Sequence, residues 1–180
     1  MNKDGGGWTV FQHRQDGSIE FNRNWATYKR GFGSLEGEFW LGNDHIHQIT
    51  AQGNYQLMVY LEDFEKRHAF AKYSTFSIES ESNGYKLHVS GYSGSAGDSM
   101  TAAHNGNKFS TKDKDNDRYG GGHCSQMYKG GWWYGVCHRS NLNGLYLKGK
   151  HTTYANGTNW YYWKGYYYSL KTTTMMIKRS

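Results

Sequence analysis

The chain has 180 residues, a formal net charge of +6, two Cys, no Pro and 24 Gly; 17% of it is aromatic, with seven Trp, 16 Tyr and eight Phe. Mean hydropathy is −0.91, but disordered chains are poor in aromatics, so the sequence encodes a folded core of Trp, Phe and Tyr, and its length suits one domain over 1–180. Composition excludes a membrane span of ~20 apolar residues, collagen, whose glycines need a three-residue period, a disulfide-rich miniprotein and a long helical bundle.

Met1-Asn2-Lys3-Asp4 leads straight into glycines and does not open a signal peptide. Trp8-Thr9-Val10-Phe11-Gln12 reads as a strand, and Asp16-Gly17 as the turn after it. Asn24 to Arg30 reads as a short helix, with Trp25 and Tyr28 on one face and Gly31 behind it. A second short helix covers His45 to Ile49, with Asn43 as its expected N-cap. Tyr55–Leu61, Ala69–Ile78 and Tyr85–Val89 alternate apolar and polar residues, and the Asn83-Gly84 turn precedes the last of them. They form an expected antiparallel meander. Residues 91–168 are Gly, Ser, Asn, Asp and aromatics with little periodicity. So long an irregular stretch in a compact domain is usually functional, or held by a metal or disulfide. Ser169 to Lys178 closes the chain as a strand.

Chemistry concentrates in that stretch. Asp113, Asp115 and Asp117 alternate, which puts hard carboxylate oxygens within reach of one cation. The EF-hand pattern is absent: counting from Asp113, position 6 is Arg118 instead of Gly and position 12 is Cys124 instead of Glu. A different Ca²⁺ loop completed by backbone carbonyls, or a solvated acidic turn, are the two readings left. Cys124 and Cys137 suit a local disulfide, worth roughly 3 kcal/mol in the chain-entropy model. With His123 and His138 they compete as a zinc site, although zinc ligands usually pair at spacings of two to four residues. The disulfide reading implies an oxidising compartment. Tyr128-Lys129-Gly130-Gly131-Trp132-Trp133-Tyr134 lies between the cysteines. Aromatics on loops held this way make rigid pocket walls, and at least one of Trp132 and Trp133 is expected in the core. His45 and His47 do not share a helical face and read as surface residues.

The basic residues are scattered, unlike a nucleic-acid footprint. Lys164-Gly165-Tyr166-Tyr167-Tyr168 has the composition to stack bases, but no nucleic-acid motif accompanies it. No catalytic Ser-His-Asp motif, phosphate loop or paired-His motif appears, so a catalyst is not expected.

Five strings together carry a resemblance: 5–12 (Gly-Gly-Gly-Trp-Thr-Val-Phe-Gln), 39–43 (Phe-Trp-Leu-Gly-Asn), 109–117 (Phe-Ser-Thr-Lys-Asp-Lys-Asp-Asn-Asp), 130–134 (Gly-Gly-Trp-Trp-Tyr) and 137–146 (Cys-His-Arg-Ser-Asn-Leu-Asn-Gly-Leu-Tyr). In order, and over essentially the whole chain, the sequence resembles the fibrinogen C-terminal domain, closest to its lectin branch of tachylectins and ficolins. The resemblance implies an α+β fold with a central antiparallel sheet, short helices and a loop-rich C-terminal region carrying Ca²⁺ and the ligand pocket. It implies carboxylate Ca²⁺ ligands Asp115 and Asp117, backbone ligands near Tyr119 and Gly121, and a Cys124–Cys137 disulfide. It implies a pocket walled by Tyr128, His138, Tyr154 and Ala155, with the Cys137–His138 peptide cis and its N–H turned to the ligand. The function implied is calcium-dependent recognition of N-acetylated sugars, such as N-acetylglucosamine or N-acetylgalactosamine on microbial surface polysaccharide, by a secreted innate-immune protein. The alternative in the same family is a protein-binding module. Physically, Tyr128 and Tyr154 suit an acetyl methyl, and a backbone N–H and His138 suit its oxygen. The sequence departs from the family in lacking its additional Cys pair, with one Cys upstream of Gly-Gly-Gly-Trp. It also carries an Asn156-Gly157-Thr158 glycosylation sequon beside the expected pocket.

Overall fold

The computed structural model describes residues 7–180; the Met1–Asp4 start and the first two glycines of Gly-Gly-Gly-Trp lie outside the described residues. A seven-stranded antiparallel sheet organises the chain. Its strands are β1 (Thr9–Arg14), β2 (Phe32–Gly33), β3 (Phe39–Trp40), β4 (Tyr55–Glu62), β5 (His68–Ile78), β6 (Leu87–Gly94) and β11 (Thr172–Arg179). The order is β2-β3-β1-β11-β4-β5-β6. The expected meander is β4-β5-β6. The closing strand lies at the centre, with Met175 paired to Gln12 on one side and Val59 on the other. The main core covers one face of this strand and a smaller apolar cluster packs on the other, and Thr173 to Ile177 are all buried.

One sheet face carries Phe11, Leu57, Val59, Leu61, Met175 and Ile177 into the main core; Trp8, Val10, Phe39 and Met176 form a small cluster on the other. The main core is aromatic, as composition requires. Trp40, Phe76 and Phe109 surround Trp133 at ring-centroid distances of 6.1, 6.4 and 5.2 Å. Trp132 and Trp133 are both fully buried. Each such ring contributes about 1.5–3 kcal/mol by burial, and each edge-to-face pair about 1 kcal/mol more.

Helix α1 (Trp25–Arg30) starts at Asn24, whose side chain accepts the Thr27 N–H, and stops at Gly31 with φ 98°. Helix α2 covers Asn43–Thr50, and here the expected cap is corrected: Asn43 is already helical and Gly42 holds the cap position. The Asn43 side-chain oxygen is instead spent on the Trp40 indole N–H at 3.0 Å. Tyr85 does not begin the third meander strand. It has a left-handed φ of 53°, its ring is buried, and its hydroxyl donates to Asp44 at 2.5 Å.

The region after β6 contains only short elements: α3 (Thr101–His104), α4 (Cys124–Tyr128), β7 (Ser140–Asn141), β8 (Gly149–Lys150), β9 (Asn159–Trp160), α5 (Tyr161–Lys164) and β10 (Tyr168–Ser169). Buried backbone polar groups need partners even where no regular ladder supplies them, and here amide side chains supply many. Asn141 donates to the carbonyls of Tyr128 and Gly157 at 2.9 and 3.1 Å, and Asn143 donates to that of Gly131 at 2.9 Å. The sheet reaches in as well. Buried Gln12 on β1 donates to the Leu142 carbonyl at 3.2 Å and the Asn143 side chain at 3.1 Å, and Arg14 donates to the Leu142 carbonyl and the Thr158 hydroxyl, both at 3.1 Å. Polar residues inside β1 thus fasten the loop-rich region to the rigid sheet.

Candidate functional site

The acidic loop divides by role. Asp113 is a structural acceptor, taking the Trp25 N–H at 2.8 Å and the Thr111 hydroxyl at 2.7 Å. Asp115 accepts the Asp117 N–H at 3.2 Å, and Asp117 accepts the N–H groups of Tyr119 and Cys124 at 2.9 and 2.7 Å. Burial raises the Asp117 carboxyl above its ordinary value, the two N–H donors oppose this, and the neighbouring Asp115 carboxylate adds to it. Two converging carboxylates that repel in this way fit a hard divalent cation, provided that backbone oxygens complete the set. Among the described residues the Tyr119 carbonyl has only a weak partner, the Gly122 N–H at 3.4 Å. Among the described residues no group of three or more His, Cys, Asp or Glu is placed to hold a metal, so side chains alone supply no closed site. Gly121 lets the Tyr119 ring fold back over it: a Cβ there would lie 3.0 Å from that ring.

This loop is mechanically joined to a pocket. Asp117 holds the first N–H of α4, at Cys124, and Cys124 is disulfide-bonded to Cys137 with Cα atoms 5.6 Å apart. The disulfide reading thus prevails over zinc. Helix α4 ends at Tyr128, where Lys129 turns left-handed with φ 66°. Gly130 follows because a Cβ there would meet the Asn143 carbonyl at 2.4 Å.

Tyr128, Cys137, His138, Tyr154 and Ala155 converge on one pocket of about 260 Å³. The Tyr128 and His138 rings meet edge to face at 4.8 Å, and Tyr154 lies 6.3 Å from Tyr128 and 5.4 Å from Tyr166. Tyr154 is 55% exposed and forms the outer lip. The cis peptide is Val136–Cys137, one residue earlier than the expected Cys137–His138. Among the described residues, neither the Cys137 nor the His138 backbone N–H donates to a protein acceptor.

His138 is buried, and its Nε2 lies 2.8 Å from the Ala155 carbonyl. A carbonyl only accepts, so Nε2 carries the proton. Burial first, then the field of His104, holds the ring's pKa down at about 3, so the ring is neutral and Nδ1 is a lone pair. Nδ1 is buried without a partner among the described residues. The expectation that His138 helps satisfy an acetyl oxygen is therefore corrected: its one proton is spent on Ala155. Ala155 turns its carbonyl there from a left-handed φ of 58°. Below lies His104, also buried, with its pKa lowered to about 4 by burial. It meets the Trp133 carbonyl through Nδ1 at 2.9 Å and accepts the N–H groups of Arg139 and Ser140 at Nε2, at 3.1 and 3.3 Å.

Sequence reasoning did not anticipate Arg139, Tyr166, Met127 and Val136 in the lining, which Tyr119 of the acidic loop completes. The Tyr166 hydroxyl donates to the His138 carbonyl at 2.9 Å and accepts from the Arg139 guanidinium. The signal was the Tyr166-Tyr167-Tyr168 run, which builds pocket wall and core edge. In the Asn156-Gly157-Thr158 sequon, the Asn156 oxygen accepts the Thr153 hydroxyl at 2.7 Å, and Thr158 is fully buried.

An antiparallel sheet bearing a disulfide-held loop region with an aromatic pocket defines a recognition module. The model for "Fibrinogen beta and gamma chains, C-terminal globular domain" matches residues 1–180, and the chain belongs to that family. It is 56% identical over 179 residues to Ryncolin-4 of Cerberus rynchops, covering 99% of this chain and 51% of that protein. It is 51% identical over 183 residues to Fibrinogen C domain-containing protein 1 of Xenopus tropicalis, covering 99% of this chain and 40% of that protein. The chain thus spans about half or less of the length of these relatives. The fibrinogen-like globe domain of human ANGPTL2 superposes with a TM-score of 0.95 at 50% identity, over 98% of this chain and 82% of that one. A lamprey fibrin D-dimer in complex with the peptide Gly-His-Arg-Pro-amide superposes with a TM-score of 0.91 at 39% identity, over 98% and 62%. No helix among the described residues is long and apolar enough to cross a membrane.

Proposed function

We propose that the pocket recognises acetyl groups, foremost the acetamido group of N-acetylated sugars such as N-acetylglucosamine or N-acetylgalactosamine on microbial surface polysaccharide, and that calcium at the Asp115–Asp117 loop stabilises it. The observation that carries the reading is the pair of unspent backbone N–H groups at Cys137 and His138 beside a neutral aromatic box. Among the described residues these two donors have no protein acceptor in the pocket wall, and an acetyl oxygen supplies one. The methyl fits between Tyr128 and Tyr154, where burial keeps the Tyr128 phenol neutral by raising its pKa. Asp115 and Asp117, with carbonyls of Tyr119 and Gly121, would hold the ion, and Ca²⁺ would neutralise the two carboxylates. Through the Cys124 N–H and the disulfide, that loop bears on Cys137. The disulfide suits an extracellular, secreted setting, in which a role in innate recognition fits.

The lamprey relative's peptide ligand raises the protein-binding alternative. Charge argues against a similar peptide here: the pocket lining holds Arg139 and no carboxylate, whereas an N-terminal amine and an arginine call for acids. Isothermal titration with N-acetylglucosamine in calcium and in chelator tests the reading. Binding at millimolar sugar that weakens in chelator is expected; no heat in calcium overturns it.

A further inference from the structure

A second and larger cavity, about 590 Å³, adjoins the aromatic pocket and shares Val136, His138 and Arg139 with it. Its other walls come from three separate segments: Gly97 and Asp98, the α3 residues Ala102 and Ala103, and Tyr162 of α5. These walls are pinned. Gly97 donates its N–H to the Tyr92 hydroxyl at 2.8 Å and accepts the Trp160 indole N–H at 3.0 Å, and the Tyr162 N–H donates to the Ser99 hydroxyl at 3.1 Å. The Tyr162 ring, 58% exposed, stands edge to face with Tyr161 at 5.1 Å, and Arg139 stacks over Tyr161 at 5.2 Å.

The polar lining is a carboxylate and a guanidinium that leave each other free: no ion pair joins Asp98 to Arg139 among the described residues. Tyr73 hydroxyl and the N–H groups of Met100 and Thr101 all donate to Asp98 Oδ1, at 2.8, 3.1 and 3.0 Å. These bonds fix the Asp98 carboxylate in the cavity wall. An acceptor, a donor and an aromatic edge around one opening match a pyranose, which offers hydroxyls that both give and take hydrogen bonds and a C–H face that packs on a ring. The balanced charges give no preference for a free anion or cation. We infer that this cavity is a second saccharide subsite, taking the pyranose next to the N-acetylated residue of the same glycan chain. The inference deepens the acetyl-pocket reading and rests on it. The preferred ligand is then an oligosaccharide, with Val136 and Arg139 as the ridge that the glycosidic link crosses.

The test is a titration series with N-acetylglucosamine and its β1,4-linked dimer on the wild-type chain and on Tyr162→Ala and Ala102→Trp. Neither substituted residue lines the aromatic pocket, and both are exposed. The wild type should bind the dimer about tenfold more tightly than the monosaccharide, well past the twofold that two acetyl groups supply statistically, and tenfold is about 1.4 kcal/mol. Each variant should cut that preference to about twofold and leave monosaccharide affinity unchanged. A wild-type preference of twofold or less, or a full preference retained in both variants, overturns the subsite. Dimer binding lost in the variants without any measurable monosaccharide binding would keep the subsite and overturn the acetyl pocket; no binding of either sugar overturns both.

Discussion

Protonating the two buried histidines should destabilise this domain as the pH falls below about 6.5. His104 and His138 are buried and neutral, with pKa values lowered by burial to about 4 and about 3, against about 6.5 in an unfolded chain. A folded pKa below the unfolded one means that the unfolded state binds more protons between the two values. Stability is therefore full above about pH 7 and falls as pH drops through 6.5, by up to about 1.4 kcal/mol per pH unit for each ring. At pH 5.0 each histidine costs about 2 kcal/mol relative to pH 7.5, and the pair about 4 kcal/mol. In a chain of this size that lowers the melting temperature by roughly 8–16 °C. His151, also lowered by burial, acts in the same direction. The assay is thermal unfolding by circular dichroism in chelator at pH 7.5, 6.0 and 5.0, on the wild type and His104→Gln. The variant starts lower but should lose about half of the pH dependence. A melting temperature that moves less than about 2 °C between pH 7.5 and 5.0, or an undiminished slope in His104→Gln, would refute the linkage.

Glu38 is 1% exposed and accepts four backbone N–H groups, from Gln15, Asp16, Gly17 and Ile19. Glu38→Gln turns one oxygen into a donor facing those donors, and should cost about 3 kcal/mol in urea denaturation. Calcium should raise the wild-type melting temperature by several degrees, and Asp117→Asn should abolish most of that rise in differential scanning fluorimetry. A wild type indifferent to calcium would remove the metal from the proposed function.

What was legible in the sequence followed the range of the signal. Alternation in Tyr55–Leu61 and Ala69–Ile78 marks β4 and β5 to within a residue or so, because period-two burial is local. The Gly31 stop was equally local, whereas Asn24, read as the first helical residue, caps the helix instead. Asn43 was misread as a cap because its oxygen is taken by Trp40 three residues back, a tertiary demand with no periodicity. The convergence of Tyr128, Cys137, His138, Tyr154 and Ala155 followed from resemblance, since nothing local joins positions 128 and 154. Arg139 and Tyr166 escaped notice because each works through the other and the His138 carbonyl. The tautomer of His138 depends on a left-handed carbonyl at Ala155, which a non-glycine residue does not advertise.

The placement of β11 has a consequence for synthesis. Gln12 on the first strand bonds Thr173 on the last, 161 positions later, and β1 touches β4 only through β11. On the ribosome, the β4-β5-β6 half can form early, but the β1-β3-β2 half has no sheet neighbour until residues 172–179 emerge. Domain closure is thus a late event governed by the longest loop in the chain, and folding should be slow for its size. A nascent chain stalled before Thr172 would display two unpaired strand edges, which chaperones must cover until the final strand arrives.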